Sequence, residues 1–158
     1  MAEATKPTPG EITVMAGGAV ALIASFLDFI GAGGEGANSW SSRAYFPLGW
    51  LIALFAVLVA VQVALARFAN LRTEPKFAGL TWPQIDLMFA FFAVVLVVAW
   101  LIVDLFGADR KIGYWGMAIG AIAVFVGTIL MVREGAATPG APPPSSAPPP
   151  PPSAPPEA

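Results

Sequence analysis

The sequence predicts an all-α membrane protein: a four-helix transmembrane bundle built from two parallel hairpin repeats, with a disordered Pro-rich C-terminal tail. Three observations lead there. Apolar residues make up 57% of the chain and charged residues 11%, a balance that suits lipid rather than water as the solvent. Four long apolar runs recur along it, and motifs at the two ends of the first run are echoed in the third.

A helix needs roughly 20 residues to cross about 30 Å of hydrocarbon. The runs that meet this need are residues 12–30, 45–66, 85–105 and 112–132, within a transmembrane domain of 11–133 that follows a short cytoplasmic leader at 1–10. The third is the clearest, because residues 87–103 hold no charge and are rich in Phe, Val and Leu. The first contains Gly17-Gly18 and reaches an acid near its end, so a cleaved signal peptide is its rival reading. The leader mixes Glu3 with Lys6 and no clean small-x-small cleavage site follows, which favours a retained span.

Lys and Arg near the span ends set the orientation. With the N-terminus inside, Lys6, Arg67, Arg72, Lys76 and Arg133 are cytoplasmic, against Arg43, Arg110 and Lys111 outside. The chain is therefore expected in the plasma membrane with both termini cytoplasmic. Trp40, Tyr45, Trp50, Trp100, Tyr114 and Trp115 then gather at the outer interface, with Trp82 alone at the inner one.

The repeat is the most specific signal. Thr8-Pro9-Gly10-Glu11-Ile12-Thr13-Val14-Met15 aligns at a constant offset with Thr81-Trp82-Pro83-Gln84-Ile85-Asp86-Leu87-Met88. Both carry the Thr-x-x-Glu/Gln spacing of a capping box, which satisfies unpaired amides at a helix start. Each half then runs to an Asp-x-x-Gly-Ala motif, at Asp28 and at Asp104. Small residues follow at the same spacing in both second spans, at Gly49, Ala53, Ala56 and Ala60 and at Gly116, Gly120, Ala123 and Gly127. Gly17 and Ala21 form another small pair on the first span. Such stripes let neighbouring backbones approach closely. Packing within the bundle is the preferred use, and an oligomer contact the alternative.

Depth decides how the two aspartates are read. At about 1.5 Å per residue, Asp28 stands roughly 24 Å above residue 12 and Asp104 roughly 28 Å above residue 85. Both therefore lie near the outer interface, where a charge costs little and Arg43, Arg110 and Lys111 are within reach. Each is expected to end its span, with Gly31 and Gly107 suited to a helix C-terminus. An acid opposes the helix dipole there, so a second reading stays open: Asp28, Asp104, Glu35 and Asp109 as an outward-facing acidic mouth for a cation or a cationic partner loop. Asp86 falls in the first turns of its helix, where negative charge is favourable, and needs no further role. Gln62 and Thr128 are expected to make interhelical or backbone hydrogen bonds.

Several chemistries are excluded. The chain has no cysteine and no histidine, which removes disulfides, lipobox acylation, thiolate or imidazole zinc sites, Ser-His-Asp nucleophiles and histidine proton shuttles. The net charge of −2 with scattered basic residues gives no nucleic-acid surface. No enzymatic constellation and no cofactor are expected. The Gly-rich outer loop from Gly31 to Arg43 lacks the Gly-Lys-Ser/Thr ending of a phosphate loop and is expected to be flexible as far as Trp40. From residue 139 to 158, eleven of twenty residues are proline, so residues 134–158 are expected to be a disordered tail of polyproline II character. It suits a Pro-binding partner or a spacer.

With Leu27-Asp28-Phe29 closing the first span, Asn38-Ser39-Trp40 in the outer loop, four spans and a Pro/Ala-rich tail, residues 11–133 resemble small uncharacterised four-span actinobacterial membrane proteins. Many of these carry Pro-Trp where this chain has Asp28-Phe29, and the resemblance implies no activity. The leading expectation is a membrane accessory or scaffold protein that binds the bilayer and other membrane proteins or itself. The alternative is a small transporter or channel subunit with an outward acidic cation site.

Overall fold

The computed structural model describes residues 6–32, 35–41, 48–69, 80–103 and 109–136. Asp104, Arg43, Tyr45, Gly107, the loop at 70–79 and the tail from 137 lie outside the described residues. Helix α1 (Pro9–Ser25) leads to strands β1 (Ile30–Ala32) and β2 (Glu35–Ala37), then α2 (Gly49–Phe68), α3 (Trp82–Val103), β3 (Asp109–Arg110) and α4 (Ile112–Ala136). The chain is mostly helical. Helices α2, α3 and α4 are long and apolar enough to cross a membrane, with α3 the most hydrophobic, whereas α1 is a shorter apolar helix of 17 residues.

Capping defines the start of α1. The Thr8 hydroxyl accepts from the Glu11 amide at 3.3 Å while the Glu11 carboxylate accepts from the Thr8 amide at 2.9 Å, with Pro9 in the first turn. At α3 the box is one-sided. The Thr81 amide and hydroxyl both donate to Gln84 Oε1, at 2.8 and 3.1 Å. Pro9 and Gly10 are helical, so the expected leader at 1–10 is shortened by the cap.

The other end of α1 departs from expectation. The helix stops at Ser25, not at residue 30, because the amides of Phe26 and Leu27 bond three residues back, to Ile23 and Ala24, tightening the last turn. The chain then enters an antiparallel sheet of order β2-β1-β3, with Ile30 opposite Ala37 and Arg110, and Gly31 opposite Gly36 and Asp109. A small sheet is thereby added at one end of the helical fold, and residues 30–32 and 35–37, which lie in or beside the outer loop expected to be flexible, are paired strands. Gly31 is a strand residue, not a helix cap. Main-chain pairing across the loops supplies partners that a continued helix could not give to residues 109–110.

The helices run alternately up and down. Helix α1 packs most extensively on α4 and next on α2, α3 packs on α2 and α4, and α1 and α3 are the diagonal pair. The α1–α4 crossing is the closest. A Cβ added at Gly17 would stand 2.8 Å from the Gly120 carbonyl oxygen, and one at Gly120 would stand 2.7 Å from both the Ala21 amide and the Gly17 carbonyl. One residue on, Gly18 faces α2 and would meet Ala60 and the Ala56 carbonyl. The adjacent glycines thus let one thin helix sit against two neighbours at once. Small residues permit such contact because dispersion and weak polar contacts, rather than water exclusion, hold helices together in lipid.

Gly49, Ala53, Ala56 and Ala60 are all buried, as are Gly120 and Gly127, while Gly116 and Ala123 are half-buried. The core divides into two layers. One is aromatic and lies beneath the sheet, with Phe29, Trp100, Tyr114 and Met117, and the other is built from Val14, Val59, Val63, Val124 and alanines toward the opposite end.

Candidate functional site

At the sheet end, Phe29 is the pivot. Its amide donates to Ala37 O at 2.8 Å and its carbonyl accepts from the Lys111 amide at 3.1 Å, so both neighbouring strands pin it. Its ring is fully buried, edge-on to Trp100 at 4.9 Å and to Tyr114 at 5.6 Å. The Tyr114 hydroxyl donates to Val97 O at 3.0 Å. An aromatic plug therefore underlies the acids that the sequence places here.

Of those acids, Asp28, Glu35 and Asp109 are spread over the sheet, and Asp104 lies outside the described residues. Asp28 is exposed beyond the end of α1, its carboxylate lying over Gly36, while its carbonyl accepts from the Gly113 amide at 2.8 Å. The Lys111 side chain lies over Gly31, so the two facing glycines leave room for one charged chain each. Glu35 sits opposite Ala32 on one edge of β1 and Asp109 opposite Gly31 on the other. Among the described residues, no three acids come together in a metal-holding group. Arg110 stands over the Tyr114 and Trp115 rings, 5.4 and 5.5 Å from their centres, an arrangement that attracts the guanidinium to the aromatic faces.

The Asn38-Ser39-Trp40 element hooks the hairpin to α1. The Ser39 amide and hydroxyl both donate to Ser25 O, and Trp40 Nε1 donates to Ser25 Oγ at 3.0 Å. Asn38 Oδ1 accepts from the Trp40 amide, and the indole stacks on Phe26 and tilts against Trp50. Of the aromatic residues expected together, Trp40, Trp50, Trp100, Tyr114 and Trp115 stand at one end of the bundle and Trp82 at the other.

The opposite end holds Asp86, an acid whose place in the first turns of α3 calls for no further role. Asp86 is only 6% exposed. Its Oδ2 accepts from Gln62 Nε2 of α2 at 3.3 Å, and its Oδ1 is buried with no hydrogen-bond partner. It lines a cavity of about 250 Å³ together with Pro83, Thr128, Met131 and Val132. Thr128 donates its hydroxyl proton to Phe125 O at 2.7 Å. Nearby helix ends are stitched as well: Arg67 lies 3.6 Å from Glu11, and the Gly10 amide donates to Glu134 at 3.1 Å. A carboxylate beside the amides at the start of α1 also complements its dipole.

Burial is what the sequence does not display for Asp86. Its place in the first turns of α3 explained the charge, and only the packing of α2 and α4 reveals the enclosure. The one-sided signal was the pairing of a polar Gln62 in the second span with an acid in the third.

Gln62→Leu is expected to destabilise the fold by about 1–3 kcal/mol, because it removes the donor to a buried carboxylate. Adding Asp86→Leu is expected to recover most of that loss, since replacing both partners removes the desolvated charge. Thermal unfolding in detergent of both single variants and the double variant reads the coupling. Strict additivity would refute it.

The mainly helical fold, with three helices of membrane-crossing length and apolarity, follows the pattern of a membrane protein. Comparison with family models, curated proteins and solved structures gives no match.

Proposed function

We propose that the chain is a four-span plasma-membrane protein, with both termini cytoplasmic and two parallel hairpin repeats, that serves as a non-enzymatic accessory or scaffold. It acts through helix–helix and protein–protein contacts. One observation carries this reading above the others. Among the described residues, the buried polar side chains divide between Ser25 and Ser39 under the sheet and Asp86 and Thr128 toward the opposite end. Between them the interior is filled by Ala21, Ala56, Ala93 and Ala121, each fully buried. A packed apolar middle suits an assembly partner better than a conduit for ions. The two Thr-initiated helices support the repeat, and the likeness to actinobacterial four-span proteins rests on the sequence motifs alone.

Affinity purification from native membranes tests the proposal. Co-purifying membrane proteins are expected, and Asp28→Asn with Asp104→Asn is expected to leave the complex intact. A cation flux in proteoliposomes that this double change abolishes would instead establish a small transporter or channel subunit. Loss of partners on truncation after Thr138 would place the docking element in the Pro-rich segment.

A further inference from the structure

We propose that the cavity between α3 and α4 is a binding site for a protonated amine carried on a compact apolar body. The inference goes beyond the scaffold reading and does not depend on it. Its walls have a one-sided hydrogen-bonding character. Asp86 Oδ1 has no partner and Oδ2 holds only Gln62. Thr128 has committed its single proton to Phe125 O, which leaves its oxygen lone pairs as acceptors. Pro83, Met131 and Val132 complete the lining. Asp86 and Thr128 thus contribute acceptors toward an occupant, and the rest of the wall is apolar.

A buried carboxylate with one bare oxygen is costly unless a cation or donor reaches it. Among the described residues, no Lys or Arg stands within ion-pair distance of Asp86, and Arg67 is engaged with Glu11. Oδ1 is buried as the side chain stands, so a rotation of the Asp86 carboxylate brings it to an ammonium N–H in the cavity, which supplies the missing partner, and the apolar remainder replaces lipid against Met131 and Val132. The volume, about 250 Å³, lies just under the range of about 300–1,000 Å³ for drug-sized ligands. A small occupant is required. Asp86 is roughly 6 Å along α3 from its first residue, a depth at which an amphiphilic amine places its charge near the membrane surface. Free alkylamines and ethanolamine-lipid headgroups share this chemistry.

The test uses the full chain in phosphatidylcholine nanodiscs with radiolabelled 1-adamantylamine as probe. Saturable binding at one site per chain is expected. Asp86→Asn, which keeps the shape and can still bond Gln62, is expected to lower affinity about tenfold or more, the effect of losing one charge-assisted hydrogen bond. Thr128→Val is expected to lower it about threefold. The neutral 1-adamantanol should compete at least about tenfold more weakly than the amine. Asp28→Asn, at the sheet end, should bind as the wild type does, and circular dichroism of each variant verifies that it folds. Competition by added phosphatidylethanolamine assigns the site to a lipid headgroup, and its absence assigns it to a free amine; both outcomes require the site. Equal binding by wild type and folded Asp86→Asn, equal competition by the alcohol, or no saturable binding up to about 10 mM would each overturn the proposal.

Discussion

Gly120→Leu is expected to disrupt the pairing of α1 with α4 and to produce the largest stability loss of any single substitution on α4. The obstacle is main chain. A Cβ at this position meets the Ala21 amide nitrogen and the Gly17 carbonyl oxygen at 2.7 Å, and neither can rotate aside as a side chain would. Overpacking a core costs about 1–3 kcal/mol when side chains can yield, and more when they cannot, so a loss of about 3 kcal/mol or more is expected. Thermal unfolding in detergent reads it. Ile119, the preceding residue, is 63% exposed, and Ile119→Ala should move stability by no more than about 0.5 kcal/mol. A Gly120→Leu midpoint equal to that of the wild type would show that α1 does not depend on this crossing.

Phe29→Ala is the second large effect, expected at about 3–5 kcal/mol for deletion of a fully buried aromatic ring. Its consequences should be local to the sheet end. The ring fills the space between Trp100 and Tyr114, and its main chain joins β1 to its neighbours. Water reaching the vacated space should shift Trp100 emission to the red. Amide exchange should quicken at Phe29, Ser39 and Lys111 while the middle of α2 stays protected. Unchanged emission and exchange in the alanine variant would contradict the plug.

The long helices were readable because their apolar runs exceed what a bilayer needs and are bounded by recognisable signals. Thr8 and Glu11 announced the start of α1 through the spacing of a capping box. Its end was not announced. Apart from Asp28, residues 26–30 are as apolar as a helix interior, and the turn at Phe26 is decided by distant partners: Gly113 takes Asp28 O, and Lys111 takes Phe29 O. Three-residue strands built on Gly31 and Gly36 carry no alternating pattern, so the hairpin looked like a plain glycine-rich loop. Asp28, Glu35 and Asp109 were legible as exposed charges at one end, but not their spread over the sheet. Asp86 was visible as an acid and invisible as an enclosed one, because enclosure belongs to Gln62 and Thr128, residues 24 and 42 positions away in the chain.

The tie between β1 and β3 also orders events during synthesis. Helix α1 emerges first and is the shortest and thinnest of the four, yet its closest neighbour is α4, which emerges last, and residues 109–111 complete the hydrogen bonds of the strand that follows it. Contacts of such sequence separation form late, after the intervening chain has been delivered. Until then Gly17, which faces α4, presents bare backbone that a passing helix with a small face can occupy. The nascent chain thus has an interval in which its first helix is open to the wrong partner, and release of α4 from the ribosome closes that interval.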